Sequence, residues 1–264
     1  MNISQPLTGI AIGAMTLCAS FPLVTPVQAH DTGRGYIVMG DSIDYGMGAS
    51  APDKAYVPQF HAYLESTFFN QAADLHNLAT PGATARDIKQ DQLTQARTET
   101  IIHNPHVMSW GGGGNDLLNF IESPEAATCM KGNPSCLARL NALLNEFEQT
   151  ADHMLRELRE TAGSDTPLYV RTQYNPLLKT TCGGPNFPLA QLANAVLEGS
   201  PSPRLERGMN DRIRELAHKH GAKVIDTFLP FYLNPDALIA DDCIHPNDAG
   251  HAVILTAAKY AYAP

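Results

Sequence analysis

The chain has no run rich in Lys or Arg, and its 18 basic side chains are outnumbered by 27 acidic ones, for a net charge of -9. That sign is wrong for a surface that holds a phosphate backbone, so nucleic acid is set aside as a partner. No C-x-x-C pair occurs among the cysteines, which removes the commonest zinc-ligand spacing and leaves no metal or cofactor expected. The G-x-S-x-G turn of the α/β-hydrolases is also missing, because Asp44 stands where its last glycine would be. Neither an internal repeat nor a low-complexity tract is present, so solenoids and tails are excluded.

Charge is absent altogether from residues 1 to 29, which carry the largely apolar stretch Leu7 to Val24 and end in Val27-Gln28-Ala29. This composition predicts a secretory signal peptide over 1–29, cleaved after a small-residue site, with a domain over 30–264 that starts at His30. Gly, Pro and Ser break the apolar run below the ~20 residues that a membrane span needs. Cys18 follows the bulky Leu17, which disfavours lipid attachment there. The expectation is a secreted or periplasmic protein with no membrane span once the leader is removed.

Loss of the leader leaves Cys129, Cys136, Cys182 and Cys243. An even number in an exported chain points to disulfides. Of the three possible pairings, closeness in sequence favours Cys129 with Cys136, leaving Cys182 for Cys243.

What the chain does contain is an alternation of short strand-like and longer helix-like segments, with 44% hydrophobic and 17% charged residues. Strands are predicted at Tyr36 to Met39, Leu75 to Ala79, Val107 to Trp110, from Leu168 and from Lys223. Helices are predicted at Tyr56 to Phe69, Ala85 to Thr98, a long stretch from Leu137, Arg204 to His220 and Asn247 to Tyr262. Such a rhythm predicts a mostly parallel five-stranded sheet with helices on both faces. The Pro- and Gly-rich segment Asn175 to Pro203 is long for a connection, with one short helix expected near Leu189 to Leu197.

Ser42, Gly82 and Asn115 each lie in the turn that leaves a successive strand, and Asp242-Cys243-Ile244-His245-Pro246 follows the fifth. In an open parallel sheet these turns meet at the carboxyl edge, where ligands bind. A serine, a histidine, a carboxylate and backbone donors would then share one crevice. Trypsin-like proteases also use Gly-Asp-Ser, but their serine comes last, after His and Asp, whereas here it comes first.

Four blocks, Gly40-Asp41-Ser42 with Gly46, Asn77 to Thr84, Gly113-Gly114-Asn115-Asp116, and Asp242-x-x-His245-Pro246, stand in the order found in the GDSL, or SGNH, hydrolases, which the chain resembles. Ile43 departs from the usual leucine, and the third block carries extra glycines. The resemblance implies an α/β fold, a three-layer α/β/α sandwich of flavodoxin-like type, and hydrolysis of carboxylic esters through an acyl-serine. It implies Ser42 as nucleophile, His245 as base and Asp242 as its partner, with the adjacent Asp241 as rival. Donors to the oxyanion would be the Ser42 and Gly82 backbone N–H groups and the Asn115 amide, with no cofactor. Asp41 and Asp116 are read as structural, and His251, His61, His76, His103, His106 and His153 as structural or surface residues. The substrate would be a small-molecule, lipid or glycan ester, and the protein a monomer. Acyl transfer, sugar O-acetyl ester hydrolysis and an inactive glycan- or lipid-binding module are the alternatives.

Overall fold

A computed structural model describes residues 35–69, 71–103, 107–129, 131–200 and 205–262. The leader, the 1–29/30–264 boundary, Cys18 and His106 lie outside the described residues. Five strands, β1 (Gly35–Met39), β2 (Asp74–Asn77), β3 (Val107–Gly111), β4 (Leu168–Arg171) and β5 (Lys223–Ile225), form one sheet in the order β2-β1-β3-β4-β5. Every pairing is parallel. The chain leaves β1 toward β2 on one side and then returns to β3 on the other, which puts the switch point between β1 and β3.

Short helices α1 (Ser42–Tyr45) and α2 (Tyr56–Leu64) follow β1, and α3 (Ala85–Asp87) and α4 (Leu93–His103) follow β2. After β3 come α5 (Gly114–Ile121), α6 (Ala126–Cys129) and α7 (Pro134–Ala162); after β4, α8 (Pro188–Glu198) and α9 (Met209–Lys219). Past β5 lie α10 (Phe228–Leu233), α11 (Pro235–Leu238) and α12 (Asp248–Tyr262).

Alternation along the strands divides the core into two layers. Ile37, Met39, Met108, Trp110, Leu168 and Val170 face a cluster that includes Leu144, Phe147 and Leu155 of α7 and Ile213 of α9. Tyr36, Val38, Val107, Tyr169 and Ile225 face the opposite cluster, with Phe60 and Leu64 of α2 and Ile254 of α12. A side-chain period of two against helical stripes on both sides produces the three-layer sandwich. Helix α7 shows how local sequence sets an element: Asn133 caps it by accepting from Ser135 and Cys136 N–H groups, Pro134 opens it, and Gly163 ends it.

Some predicted boundaries shift. Of the helix expected over Arg204 to His220, Arg204 lies outside the described residues and the helix runs Met209–Lys219, preceded by Gly208, where a side chain would collide with the Leu197 carbonyl. Strand β2 starts one residue early and ends two early. The segment predicted as Tyr56 to Phe69 changes from α-helical to π-type spacing at Glu65. Within 175–200, helix α8 matches the expected short helix, and two single 3-10 turns, Pro176–Leu178 and Thr180–Cys182, add structure that composition did not announce. Both disulfides favoured by sequence distance are present, Cys129–Cys136 and Cys182–Cys243.

Candidate active site

Strand β1 ends at Met39, and after Gly40 the N-cap Asp41 turns the chain into α1 with Ser42 as the first helical residue. Asp41 is the N-cap: its carboxylate accepts from Ile43 N–H (2.9 Å), while the Asp44 carboxylate accepts from Asp41 N–H (3.3 Å). Two reciprocal side-chain caps thus lock a four-residue helix that could not stand alone.

Those capping carboxylates converge on one buried guanidinium. Arg171 Nη2 donates to Asp44 Oδ2 (2.8 Å) and Asp41 Oδ1 (3.2 Å), its Nε to Asp44 Oδ1 (3.3 Å) and its Nη1 to Gln173 Oε1 (3.3 Å). The Tyr56 hydroxyl donates to Asp44. Arg171, Asp41 and Asp44 are at most 2% exposed. Burial, opposed by Arg171 and helped by the neighbouring Asp44 charge, pushes the Asp41 carboxyl up to about 6. Burial alone would lower the Arg171 value, but Asp44 and Asp41 hold it above the ordinary one. The cluster also explains two glycines, Gly40 of the first block and Gly111 at the end of β3. A Cβ at Gly40 would collide with the Asp44 carboxylate, and one at Gly111 would lie 2.7 Å from Arg171 Nη2.

Second and third blocks close on the same point. Thr80 N–H donates to the Gly40 carbonyl (3.1 Å), and Asn77 Nδ2 to the Asp44 carbonyl (2.9 Å). Asn115 Nδ2 donates to the Ala83 carbonyl (2.9 Å), which leaves the second N–H of that amide for another acceptor. Among the described residues, the Ser42 and Gly82 backbone N–H groups have no protein acceptor. Gly82 sits at φ +81, and a Cβ there would meet no protein atom. Its left-handed backbone, rather than crowding by the protein, therefore accounts for the glycine. Asp116 accepts from Ala85 N–H (2.9 Å), so it caps the start of α3 from across the turn, and burial raises its pKa.

The fourth block arrives on the loop before α12. His245 Nδ1 is 2.6 Å from Asp242 Oδ2, and Asp242 Oδ1 accepts the Ile244 and His245 N–H groups, each at 3.0 Å. Burial works to raise the Asp242 pKa, yet these bonds leave it below the ordinary value. With Nδ1–H donated to the carboxylate, the Nε2 lone pair is free to take a proton. Asp241 is engaged elsewhere, accepting from Lys179 Nζ at 2.8 Å. Geometry therefore separates the two adjacent acids.

Gly48, at φ +85, packs the segment after Ser42 against this loop: a Cβ there would lie 2.8 Å from His245 Cβ. Ser50 clasps Asp248 through its N–H (2.7 Å) and hydroxyl (2.6 Å). His251, expected to be structural or on the surface, is buried and bridges Tyr56 N–H and the Met47 carbonyl. Ser42 and His245 are thus on abutting segments, while their side chains form no hydrogen bond to each other.

Sequence reasoning missed the charge cluster. Asp44 served only to rule out an α/β-hydrolase turn, and Arg171 passed unnoticed, although a charged residue continuing the apolar Leu168-Tyr169-Val170 was a usable signal. It also missed Lys179 and Tyr174. Lys179 Nζ bonds the Ile239 (2.9 Å) and Ala240 (3.0 Å) carbonyls, and the Tyr174 hydroxyl bonds the Ile244 carbonyl (2.7 Å).

A parallel sheet of order 2-1-3-4-5 with this constellation at its carboxyl edge is the architecture of the SGNH hydrolases, a class of carboxylic ester hydrolases. The model of the GDSL-like lipase/acylhydrolase family matches residues 38–253, and the chain belongs to that family. It is 25% identical over 235 residues to the spore germination lipase LipC of Bacillus licheniformis, covering 85% of this chain and 96% of that protein. Among solved structures, the lipase Lip_vut3 from a goat rumen metagenome superposes with a TM-score of 0.61 at 20% identity, over 86% of this chain and 96% of that one. Axe2, an acetylxylan esterase from Geobacillus stearothermophilus, gives 0.57 at 18% identity, over 86% and 93%.

Proposed function

We propose that this carboxylic ester hydrolase works through an acyl-enzyme on Ser42, with His245 as general base and Asp242 as its partner. Ser42 Oγ attacks the ester carbonyl carbon as its proton passes to His245 Nε2. Negative charge then moves to the carbonyl oxygen, and the Ser42 N–H, the Gly82 N–H and the spare Asn115 N–H receive it. Collapse breaks the bond to the alcohol oxygen, which leaves with the proton from His245. Water then repeats the sequence on the acyl-serine, releasing a carboxylic acid and restoring Ser42.

The observation that carries the reading is the Asp242–His245 pair at 2.6 Å, held on a loop that abuts the Ser42 segment. Asp242 stabilises the imidazolium that forms as the serine proton is taken. We further infer export: the charge-free leader over 1–29 and two disulfides fit an oxidising compartment, with 30–264 as the mature domain. Among the described residues, no helix is long and apolar enough to cross a membrane.

The test is hydrolysis of p-nitrophenyl esters by the purified enzyme beside Ser42→Ala. Turnover should fall by about 10³-fold or more, with little change in KM. Retention of most of the activity by the variant would remove Ser42 as nucleophile.

A further inference from the structure

A cleft opens beside Ser42 between α5 and α8. Leu117, Leu118 and Ile121 of α5 form one wall, and Ala193 and Leu197 of α8, with Leu177, form the other. The spacings 117/121 and 193/197 put each pair on one helical face, so two apolar stripes oppose each other across the gap. Gly114 and Asn115 bring the start of α5 to the nucleophile turn: a Cβ on Gly114 would lie 3.7 Å from Asp41 Oδ2. From Gly114 to Ile121 the helix advances about 10 Å away from that turn.

Beyond Ser42 and Asn115, the polar groups along the cleft are committed inside the protein. Gln173 Nε2 donates to the Gly112 carbonyl (2.8 Å) and its Oε1 accepts from Arg171 (3.3 Å). The Tyr174 hydroxyl is held by the Ile244 carbonyl (2.7 Å). Asn175 Nδ2 donates to the Ala190 carbonyl (2.8 Å) and to Asn194 Oδ1 (2.7 Å), while its Oδ1 accepts from Leu177 N–H (3.1 Å). The Asn175 bonds anchor α8 as the second wall, and together these bonds occupy the polar groups. They leave little to solvate a sugar or a charged acyl substituent.

We propose that this cleft is the acyl-chain site and that it selects unbranched medium-length acyl groups over acetyl, with Leu118 as a residue that sets the length. The proposal rests on Ser42 as the attacked centre only for its kinetic consequence. Binding of the chain itself does not depend on the chemistry. An acetyl group would stop beside Ser42, whereas a chain of about eight carbons would reach along the Leu117–Ile121 stripe and gain with each of its own methylenes that leaves water.

The experiment compares p-nitrophenyl acetate and octanoate on the enzyme and on Leu118→Trp, and measures calorimetrically the binding of acetate and octanoate to Ser42→Ala with and without Leu118→Trp. Leu118 is half-buried on the cleft side, so the larger ring fills the cleft rather than the core. The enzyme should favour octanoate in kcat/KM by about tenfold or more, and Leu118→Trp should remove that preference by lowering kcat/KM on octanoate more than on acetate. Octanoate should bind Ser42→Ala, and Leu118→Trp should weaken that binding about tenfold. Preference for acetate, or an equal loss on both esters in Leu118→Trp, overturns the proposal. Absence of turnover on either ester with octanoate binding that Leu118→Trp weakens would reject the serine mechanism and sustain the acyl site. Absence of both turnover and octanoate binding overturns the acyl site.

Discussion

The turn that carries Ser42 and the loop that carries His245 abut, yet they are stabilised in opposite ways. The serine turn is dry and ionic: Arg171 bonds two capping carboxylates, all three groups at most 2% exposed. The histidine loop lies near solvent and is stapled from one neighbouring segment, 174–182, by the Tyr174 hydroxyl, the Lys179 ammonium and the Cys182–Cys243 disulfide. The difference follows from what each must hold. A backbone N–H aimed at a developing oxyanion needs the main chain itself fixed, and buried charge-assisted bonds do this with little freedom left. An imidazole needs its ring oriented and one nitrogen left accessible, so a tethered loop with Asp242 behind the ring suffices.

Breaking the buried side should have the larger effect. Arg171→Gln would strand two carboxylates in the core, costing about 3–5 kcal/mol of stability in denaturant unfolding. Adding Asp44→Asn to that variant should recover part of the loss, because a single carboxylate remains where there were two. A double variant no more stable than Arg171→Gln would show that packing, not charge balance, is Arg171's contribution.

On the exposed side the disulfide is the sharper probe. Replacing Cys182 and Cys243 together by alanine opens a closed stretch with a sequence separation of 61, against 7 for Cys129 and Cys136. Loop-closure entropy then predicts losses of about 4 and about 2 kcal/mol, respectively. Only the first pair should also lower kcat, by several-fold, since only it anchors the His245 loop. Equal kcat in the two variants would mean that Lys179 and Tyr174 alone position the histidine.

A finer distinction within the same loop concerns its two acids. Asp242→Asn should lower kcat by about 10²-fold or more while KM changes little. Asp241→Asn, which loses only an exposed bond to Lys179, should stay within about threefold. A reversal of that order would exchange their roles.

The sandwich and the meeting of four motif blocks were legible because both are written locally. Apolar runs of strand length alternate with helical stripes, and Gly-Asp-Ser, Pro-Gly-Ala and Gly-Asn-Asp punctuate the strand ends. Asp242 before His245 was legible for the same reason, since three residues in one loop suffice to join them. Helix boundaries were less so where tertiary contact intervenes, as at Gly208, whose neighbour is the carbonyl of Leu197.

Sequence by itself thus determined the order of the elements, the single parallel sheet, and which serine, glycine, asparagine and histidine would share an edge. Only the tertiary structure decided what holds them there and what lies beside them. Asp44 and Arg171 are 127 positions apart and meet because β4 lies one strand beyond β3, whose Gly111 leaves the gap through which the guanidinium reaches. The opposed stripes of α5 and α8 likewise acquire meaning only when two helices far apart in the chain face each other across a cleft. Periodicity fixes the face of an element, but the partner of that face is set by packing in three dimensions.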